Sequence, residues 1–235
     1  MKNKVIATFN SLASAYENTV DSKNLYNSEY ERPAMLAQLP ENFSDKNVLD
    51  AGCAAGWYTQ QLIDRGANVT AVDISPEMVK SAIRRVGGQA EVLCLDLSAD
   101  LPFEDDFFDF IVSSLTLHYI KEWEQTFKEF QRVLKLGGIL LFSVHHPFTD
   151  IKLLREANYF STELIIDSWK KEGKHYDVPF YRRPLSEILT APLNYFSIEK
   201  VIEPKPTLKF KEQDPDRYEK LMKAPNFLII KALLK

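Results

Sequence analysis

Between residues 46 and 147 the chain repeats one pattern: a short apolar run, a turn, then an amphipathic stretch closed by glycine. KNVLDAG (46–52) reads as a buried strand, WYTQQLIDRG (57–66) as a helix stopped by Gly66, and ANVTAVDI (67–74) as a second strand. Ser75 as N-cap and Pro76 at the first helical position open PEMVKSAIRRV, which ends at Gly87-Gly88 before the strand AEVLCLD (90–96). FFDFIVSSLTL (107–117) is a further strand, EWEQTFKEFQRVLK (122–135) a helix closed by Gly137-Gly138, and ILLFSVHHP (139–147) the fifth strand. Parallel strands need crossover connections, so this alternation predicts a mostly parallel sheet covered on both faces. Ligands of such sheets bind beyond the carboxyl ends of the strands, where the strand order reverses.

The remaining sequence frames this unit. Residues 1–45 hold two helical stretches rich in tyrosine and predict a helical cap, leaving 46–235 as the main domain. Residues 147–183 break the alternation with aromatics, charges and Pro147 and Pro179, and read as an insertion or lid over the active edge. PLSEILTAPL then reads as a short helix, and YFSIEKVIEP and NFLIIKALL as strands that close the sheet. At 235 residues the expectation is one domain, as monomer or homodimer. A formal net charge of −4 excludes a global positive field for nucleic acid, so a small-molecule substrate is expected. The two cysteines, Cys53 and Cys94, form no CxxC pair and have no histidines at zinc spacing, so no metal site is expected. No membrane contact and a cytoplasmic location are expected too: the basic start MKNKVIATFN breaks at Thr8 and Asn10, and no apolar run is long enough to span a bilayer.

The chemistry concentrates at the strand ends. In VLDAGCAAGWYT, Gly52 and Gly56 allow a sharp turn that brings backbone N–H groups against a ligand. A dinucleotide fingerprint would place its third glycine at Trp57, which argues against a pyrophosphate ligand. Asp50 beside this loop suits an ammonium group instead. Asp73 ends the second strand 23 residues later, where a carboxylate can accept both ribose hydroxyls. Asp96 ends the third after another 23 residues, placed for an adenine amino group. A lone aspartate at a strand end is usually a turn former. Three at successive ends form a far more specific pattern.

With these residues the chain resembles the class I S-adenosylmethionine-dependent methyltransferases of the methyltransferase domain 11 type. VLDAGCAAGWYT resembles the first motif, AVDISPEM the second, CLDLSADLPFEDDFFDFIVSSLTLHYI the adenine-binding and fourth motifs, and EFQRVLKLGGILLFSVHHP the segment of the fifth strand. The resemblance implies a Rossmann-like, doubly wound α/β fold with a mostly parallel seven-stranded sheet. It implies Asp50, Gly52, Cys53 and Gly56 around the methionine part of S-adenosylmethionine, Asp73 and Ile74 at the ribose, Asp96 and Leu97 at the adenine, and Ser114 and Leu115 flanking the sulfonium. Tyr16, Tyr26 and Arg32 are placed by it near the cofactor carboxylate, although tyrosines at helical spacing also suit packing. One departure is Ala54, where the family commonly has glycine.

For the acceptor side, His118, His145 and His146 are base candidates, at most one of them acting, because histidine titrates near neutrality. Adjacent strand residues face opposite sides, which disfavours a metal held by His145 and His146 together. KHYDVPFYRRPLSE offers His175, Tyr176, Phe180, Tyr181, Arg182 and Arg183 either as a pocket for an aromatic or anionic metabolite or as a self-packed lid. SSLTLHYI stands where an Asp-Pro-Pro-Tyr stretch would mark base methylation of nucleic acid. Methyl transfer to a small molecule, yielding S-adenosylhomocysteine, is the expected function. The alternatives are a nicotinamide-dependent oxidoreductase with a degenerate fingerprint and a non-catalytic S-adenosylmethionine-binding module.

Overall fold

The computed structural model describes residues 1–20, 23–154, 156 and 158–235. At the N-terminus α1 (Lys2–Ala15) runs into a π-helical turn, Tyr16–Val20, and a second π-turn, Asn27–Glu31, leads into α2 (Arg32–Leu36). The alternating unit follows as β1 (Asn47–Ala51), α3 (Trp57–Ile63), β2 (Asn68–Asp73), α4 (Pro76–Val86), β3 (Glu91–Cys94), β4 (Phe108–Ser114), α5 (Glu124–Val133) and β5 (Leu134–His145). Beyond it lie α6 (Pro147–Asp150), β6 (Glu163–Lys171), β7 (Lys174–Arg182), α7 (Leu185–Leu193), β8 (Ser197–Ile202), α8 (Leu208–Gln213), α9 (Pro215–Leu221) and β9 (Phe227–Leu233).

The seven-stranded sheet has the order β3-β2-β1-β4-β5-β9-β8, parallel except for β9, which is antiparallel to both β5 and β8. The order reverses between β1 and β4, so a crevice opens there at the carboxyl ends. Alternation along β1 divides the core between the two faces. Leu49 and Ala51 pack with Phe127, Phe130 and Phe142 on the α5 side, whereas Val48 packs with Met35, Tyr58 and Leu62 on the α2 and α3 side. Because both faces are covered, these strands read as continuous apolar runs.

Local chemistry sets the helix ends. The Ser75 hydroxyl accepts from Met78 N at 3.2 Å, and Gly87, at φ +57°, ends α4 in the left-handed region. At Gly137-Gly138 the structure differs from the expected helix cap: α5 already stops at Val133, and the glycines lie inside β5. There the pairing with β4 shifts register between Phe108 and Phe110. A Cβ on Gly138 would approach Leu134 Cγ and Lys135 O at 2.7 Å, so only glycine lets the strand fold over itself.

Within 147–183 the chain forms a separate hairpin of β6 and β7. Its two-residue loop, Glu172-Gly173, has φ of +50° and +77°, the paired positive values of a tight hairpin turn. Pro179 sits in β7, tolerated because a two-stranded ribbon has only edge strands. The hairpin packs against α1, with the Thr8 hydroxyl donating to Asp177 O at 3.0 Å. The short helices α8 and α9, not anticipated from the pattern, are capped by the Thr207 hydroxyl and the Asp214 carboxylate.

Candidate active site

A cavity of about 1090 Å³ opens at the carboxyl ends of β1 to β5, bounded also by α1, the second π-turn and the β6–β7 hairpin. The loop after β1 forms one wall. Gly52 N and Cys53 N donate to Val72 O at 2.8 and 2.9 Å, tying the loop to β2. Gly52 has φ +89°, and a Cβ there would fall 2.2 Å from Thr116 Oγ1. Glycine at this position thus makes room for Thr116, on a turn that lines the cavity. Gly56 does not line the cavity; at φ +78° its missing Cβ leaves room for Ala82 of α4 at 3.1 Å, a packing role. Ala54 adopts φ +47°, so the alanine keeps the left-handed conformation glycine would favour.

Asp73 and Asp96 both line the cavity, together with Ile74 and Leu97. Asp73 Oδ2 accepts from Ala54 N at 2.9 Å and Oδ1 from Ser75 N at 2.8 Å. Burial pushes its pKa up to about 6, against those amides. Asp96 accepts from Ser98 N and Oγ and, at 2.9 Å, from Lys2 Nζ; despite desolvation, these partners hold its pKa below the usual carboxylate range.

Asp50 departs from the sequence expectation. It is 1% exposed, absent from the cavity wall, and accepts from the Thr59 hydroxyl at 2.6 Å. Burial raises its pKa to about 7, and the charge of Asp73 adds to the rise. The carboxylate thus braces α3 behind the loop rather than facing a ligand, because β1 directs it into the protein. Of the three strand-end acids, two share the crevice.

Ser114 and Leu115 line the same cavity, with Leu115 at φ +48° and its N–H on Ser143. The cap contributes Tyr16, Tyr26 and Arg32, whose guanidinium stacks 4.0 Å from the Trp57 ring. Sequence reasoning missed Glu31. This acid lines the cavity although it is 1% exposed, and it accepts from Ser114 Oγ (2.8 Å), Ser143 Oγ (2.6 Å) and Tyr58 Oη (2.9 Å). Burial raises its pKa. Its position in a tyrosine-rich helical segment, far in sequence from every partner, gave no pattern to read.

The three histidines separate. His145 lines the cavity, stacked on His118 with ring centroids 4.0 Å apart and its Nδ1 3.5 Å from Asp150 Oδ1. His118 is 3% exposed and lies behind His145, away from the cavity; burial holds its pKa well below the ordinary value. His146 caps α6, its Nδ1 accepting from Phe148 N at 3.1 Å, with Nε2 2.9 Å from Glu203. His118 and His146 are thus corrected as base candidates. Their positions are set by the turn after β4 and by the start of α6. No cluster that could hold a metal ion occurs among the described residues.

Of the hairpin residues, Phe180 and Tyr181 line the cavity, whereas His175 is exposed on the outer strand. Arg182 is fully buried on Asn158 O, Tyr159 O and Glu163, and Arg183 binds Glu187 and the carbonyls of Ile120 and Lys121. Arg183 ties the end of the hairpin to the chain after β4, Arg182 binds the segment that leads into β6, and neither lines the cavity. The aromatic half of the expected pocket is present, and its arginine half is not.

Comparison with known proteins agrees with this geometry. Residues 49–142 match the family described as Methyltransferase domain. A Listeria monocytogenes protein assigned as an S-adenosylmethionine dependent methyltransferase superposes with a TM-score of 0.74 at 29% identity, covering 87% of this chain and 96% of that one. The S-adenosylmethionine dependent methyltransferase of Mesorhizobium loti gives 0.68 at 27% identity, covering 86% and 97%. Malonyl-[acyl-carrier protein] O-methyltransferase of Buchnera aphidicola is 30% identical over 60% of this chain and 54% of its own length. The chain spans about half of that relative and 30% of the bifunctional BioHC protein of Cellvibrio japonicus. With its matched motif region, its reversed β9 and its glycine-bearing crevice, the chain has the fold and the motifs of the class I S-adenosylmethionine-dependent methyltransferases.

Proposed function

We propose that this protein transfers a methyl group from S-adenosylmethionine to a small-molecule acceptor. The observation that carries this reading is the meeting of Gly52, Asp73 and Asp96, from three neighbouring strand ends, on one cavity wall. Asp73 and Ile74 hold the ribose, Asp96 and Leu97 the adenine, Gly52 and Cys53 the methionine part, and Ser114 and Leu115 flank the sulfonium. Lys2 must yield Asp96, or share it, when the adenine amino group arrives. Tyr16, Tyr26 and Arg32 close over the amino-acid end, where a guanidinium suits a carboxylate. Asp50 and Gly56 act from behind the loop, setting its shape. Residues 1–45 serve as the cap and the 147–183 segment as the lid.

The bound cofactor supplies an electrophilic methyl carbon on a sulfonium. The protein's own part is alignment, a contribution of up to about 7–11 kcal/mol, and exclusion of water by α1 and the hairpin. Asp73 brings a carboxylate to the wall that receives the ligand. Aromatic residues of the acceptor side, Tyr119, Phe180 and Phe227, suit an apolar acceptor body. The oxidoreductase reading finds no support in a sheet with a reversed strand next to β5, since the dinucleotide-binding sheet runs 3-2-1-4-5-6. Methyl transfer is tested by following S-adenosylhomocysteine release against a metabolite panel. Saturable release dependent on one acceptor is expected, and binding of the cofactor with no release above the acceptor-free rate for any panel member would favour the non-catalytic module.

A further inference from the structure

We infer that His145 and Asp150 act together as base and positioning residue, and that the acceptor reaches them as a hydroxyl on a flat apolar body, not as a carboxylate. This rests on the methyl-transfer reading above and deepens it.

His145 stands at the carboxyl end of β5 with its side chain 17% exposed. Its Nδ1 is buried and lies 3.5 Å from the Asp150 carboxylate, itself 7% exposed on α6. That separation is beyond a formed hydrogen bond, and such contacts tighten when a ligand fills the site. A carboxylate beside Nδ1 keeps the proton on that nitrogen and leaves the Nε2 lone pair free. The ring has little freedom to turn. His118 stacks on one side at 4.0 Å, the Phe180 ring stands edge-on at 4.7 Å, and Phe227 lies at 6.2 Å.

The groups facing His145 are Asp150 from α6, His118 from the turn after β4, Phe180 from β7 and Phe227 from β9. Behind His118 comes Arg183, and next in the chain His146 pairs with Glu203. Burial keeps His118 uncharged at neutral pH, so the stack does not oppose a positive His145.

The acceptor class follows from what a base is for. A carboxylate is already ionised at neutral pH and gains nothing from proton removal, whereas a phenolic or enolic hydroxyl, with a pKa near that of tyrosine at about 10, does. Asp150, beside His145, is the charged group of the wall nearest to the base. Phe180, Phe227 and Tyr119 offer flat apolar faces. In the step, the acceptor oxygen bonds to the methyl carbon while its proton passes to His145 Nε2. The carbon–sulfur bond breaks with its electron pair left on sulfur, giving the methyl ether and S-adenosylhomocysteine. Imidazolium then releases the proton to water.

Ring nitrogen and proton NMR of the protein loaded with S-adenosylhomocysteine tests the pair without turnover. The four histidines are assigned with His118→Gln, His146→Gln and His175→Gln. The expected result is a neutral His145 protonated at Nδ1 and bare at Nε2, a preference that is lost in Asp150→Asn. A proton on Nε2 in the unaltered protein, or an unchanged tautomer in a folded Asp150→Asn, overturns the pair. For the acceptor class, 2-naphthol is expected to shift the His145 ring signals and 2-naphthoate to leave them in place. A stronger response to 2-naphthoate, or none to 2-naphthol, overturns that part. Calorimetry of S-adenosylmethionine on the same protein without added ligand reads the underlying methyl-transfer assignment separately, and the ring tautomer is recorded both with and without S-adenosylhomocysteine.

Discussion

On the proposed assignment, cofactor affinity rests most on Asp73. Its two backbone partners hold the carboxylate at the crevice, and each charged hydrogen bond to a ribose hydroxyl is worth roughly 1.5–3 kcal/mol. Asp73→Ala should therefore weaken S-adenosylmethionine binding about 10- to 100-fold by calorimetry, and unchanged affinity in a folded variant would remove the assignment. Gly52→Ala should weaken binding as well, because the new Cβ drives Thr116 out of place; thermal melting and calorimetry together read both effects. Asp50 makes a pH prediction of definite sign. Its folded pKa of about 7 exceeds the unfolded value, so the native state holds the extra proton and its contribution to stability declines as pH rises from about 4 to about 7. Asp50→Asn, which stays neutral, should raise the melting temperature at pH 8 relative to the unaltered protein and change it little at pH 4. A variant equally destabilised at both pH values would refute the cause given. The place of Asp73 and Asp96 at the crevice was legible because each stands at or just beyond the end of a strand, at the carboxyl edge of the sheet. Asp50 was misjudged, since period alone places a residue at a strand end without saying which face it takes. Glu31 was invisible for another reason: its worth lies in Ser114, Ser143 and Tyr58, brought to it only by folding.

At the scale of elements, α1 packs Val5, Phe9, Leu12 and Ala13 against Ala55, Met78 and Val178, and polar ties at its edges add to this apolar contact. Ser75 Oγ donates to Asn10 at 2.7 Å, Arg84 pairs with Glu17 at 2.6 Å, and Lys2 reaches Asp96 at 2.9 Å. Exposed ion pairs of this kind add little stability. As a terminal element at the rim of the cavity, α1 should exchange its backbone amides with solvent faster than β1, β2 and β4, which lie inside the sheet. Adding S-adenosylhomocysteine should slow exchange in 1–20 while leaving the central strands as they were. Equal protection of α1 with and without ligand would remove its covering role. The β6–β7 hairpin shows how local chemistry can be present yet overlooked. Lys171-Glu172-Gly173-Lys174 carries a tight-turn glycine between two runs of strand-forming residues, but Pro179 and the mixed charges masked the pairing. Likewise Gly137-Gly138 has the composition of a helix cap, and only the shifted pairing with β4 turns it into a fold-over within β5.

For the whole molecule, the strand order carries the most information. Five parallel strands in the order β3-β2-β1-β4-β5 place the crevice, and the reversed β9 between β5 and β8 separates this sheet from the dinucleotide-binding one. The alternation of strands and helices was readable because each segment is long and periodic, whereas the side of the sheet on which late strands insert depends on pairing between residues almost 100 positions apart, such as Ile139 with Leu233. No helix among the described residues is long and apolar enough to cross a membrane. The central claim is that the crevice at these strand ends is built for an adenosyl sulfonium ligand. Isothermal titration of the intact chain with S-adenosylmethionine, S-adenosylhomocysteine and NAD tests it most directly. Saturable one-to-one binding of both sulfur compounds, with no heat from NAD, is the expected result; tight NAD binding with no response to either sulfur compound would contradict it.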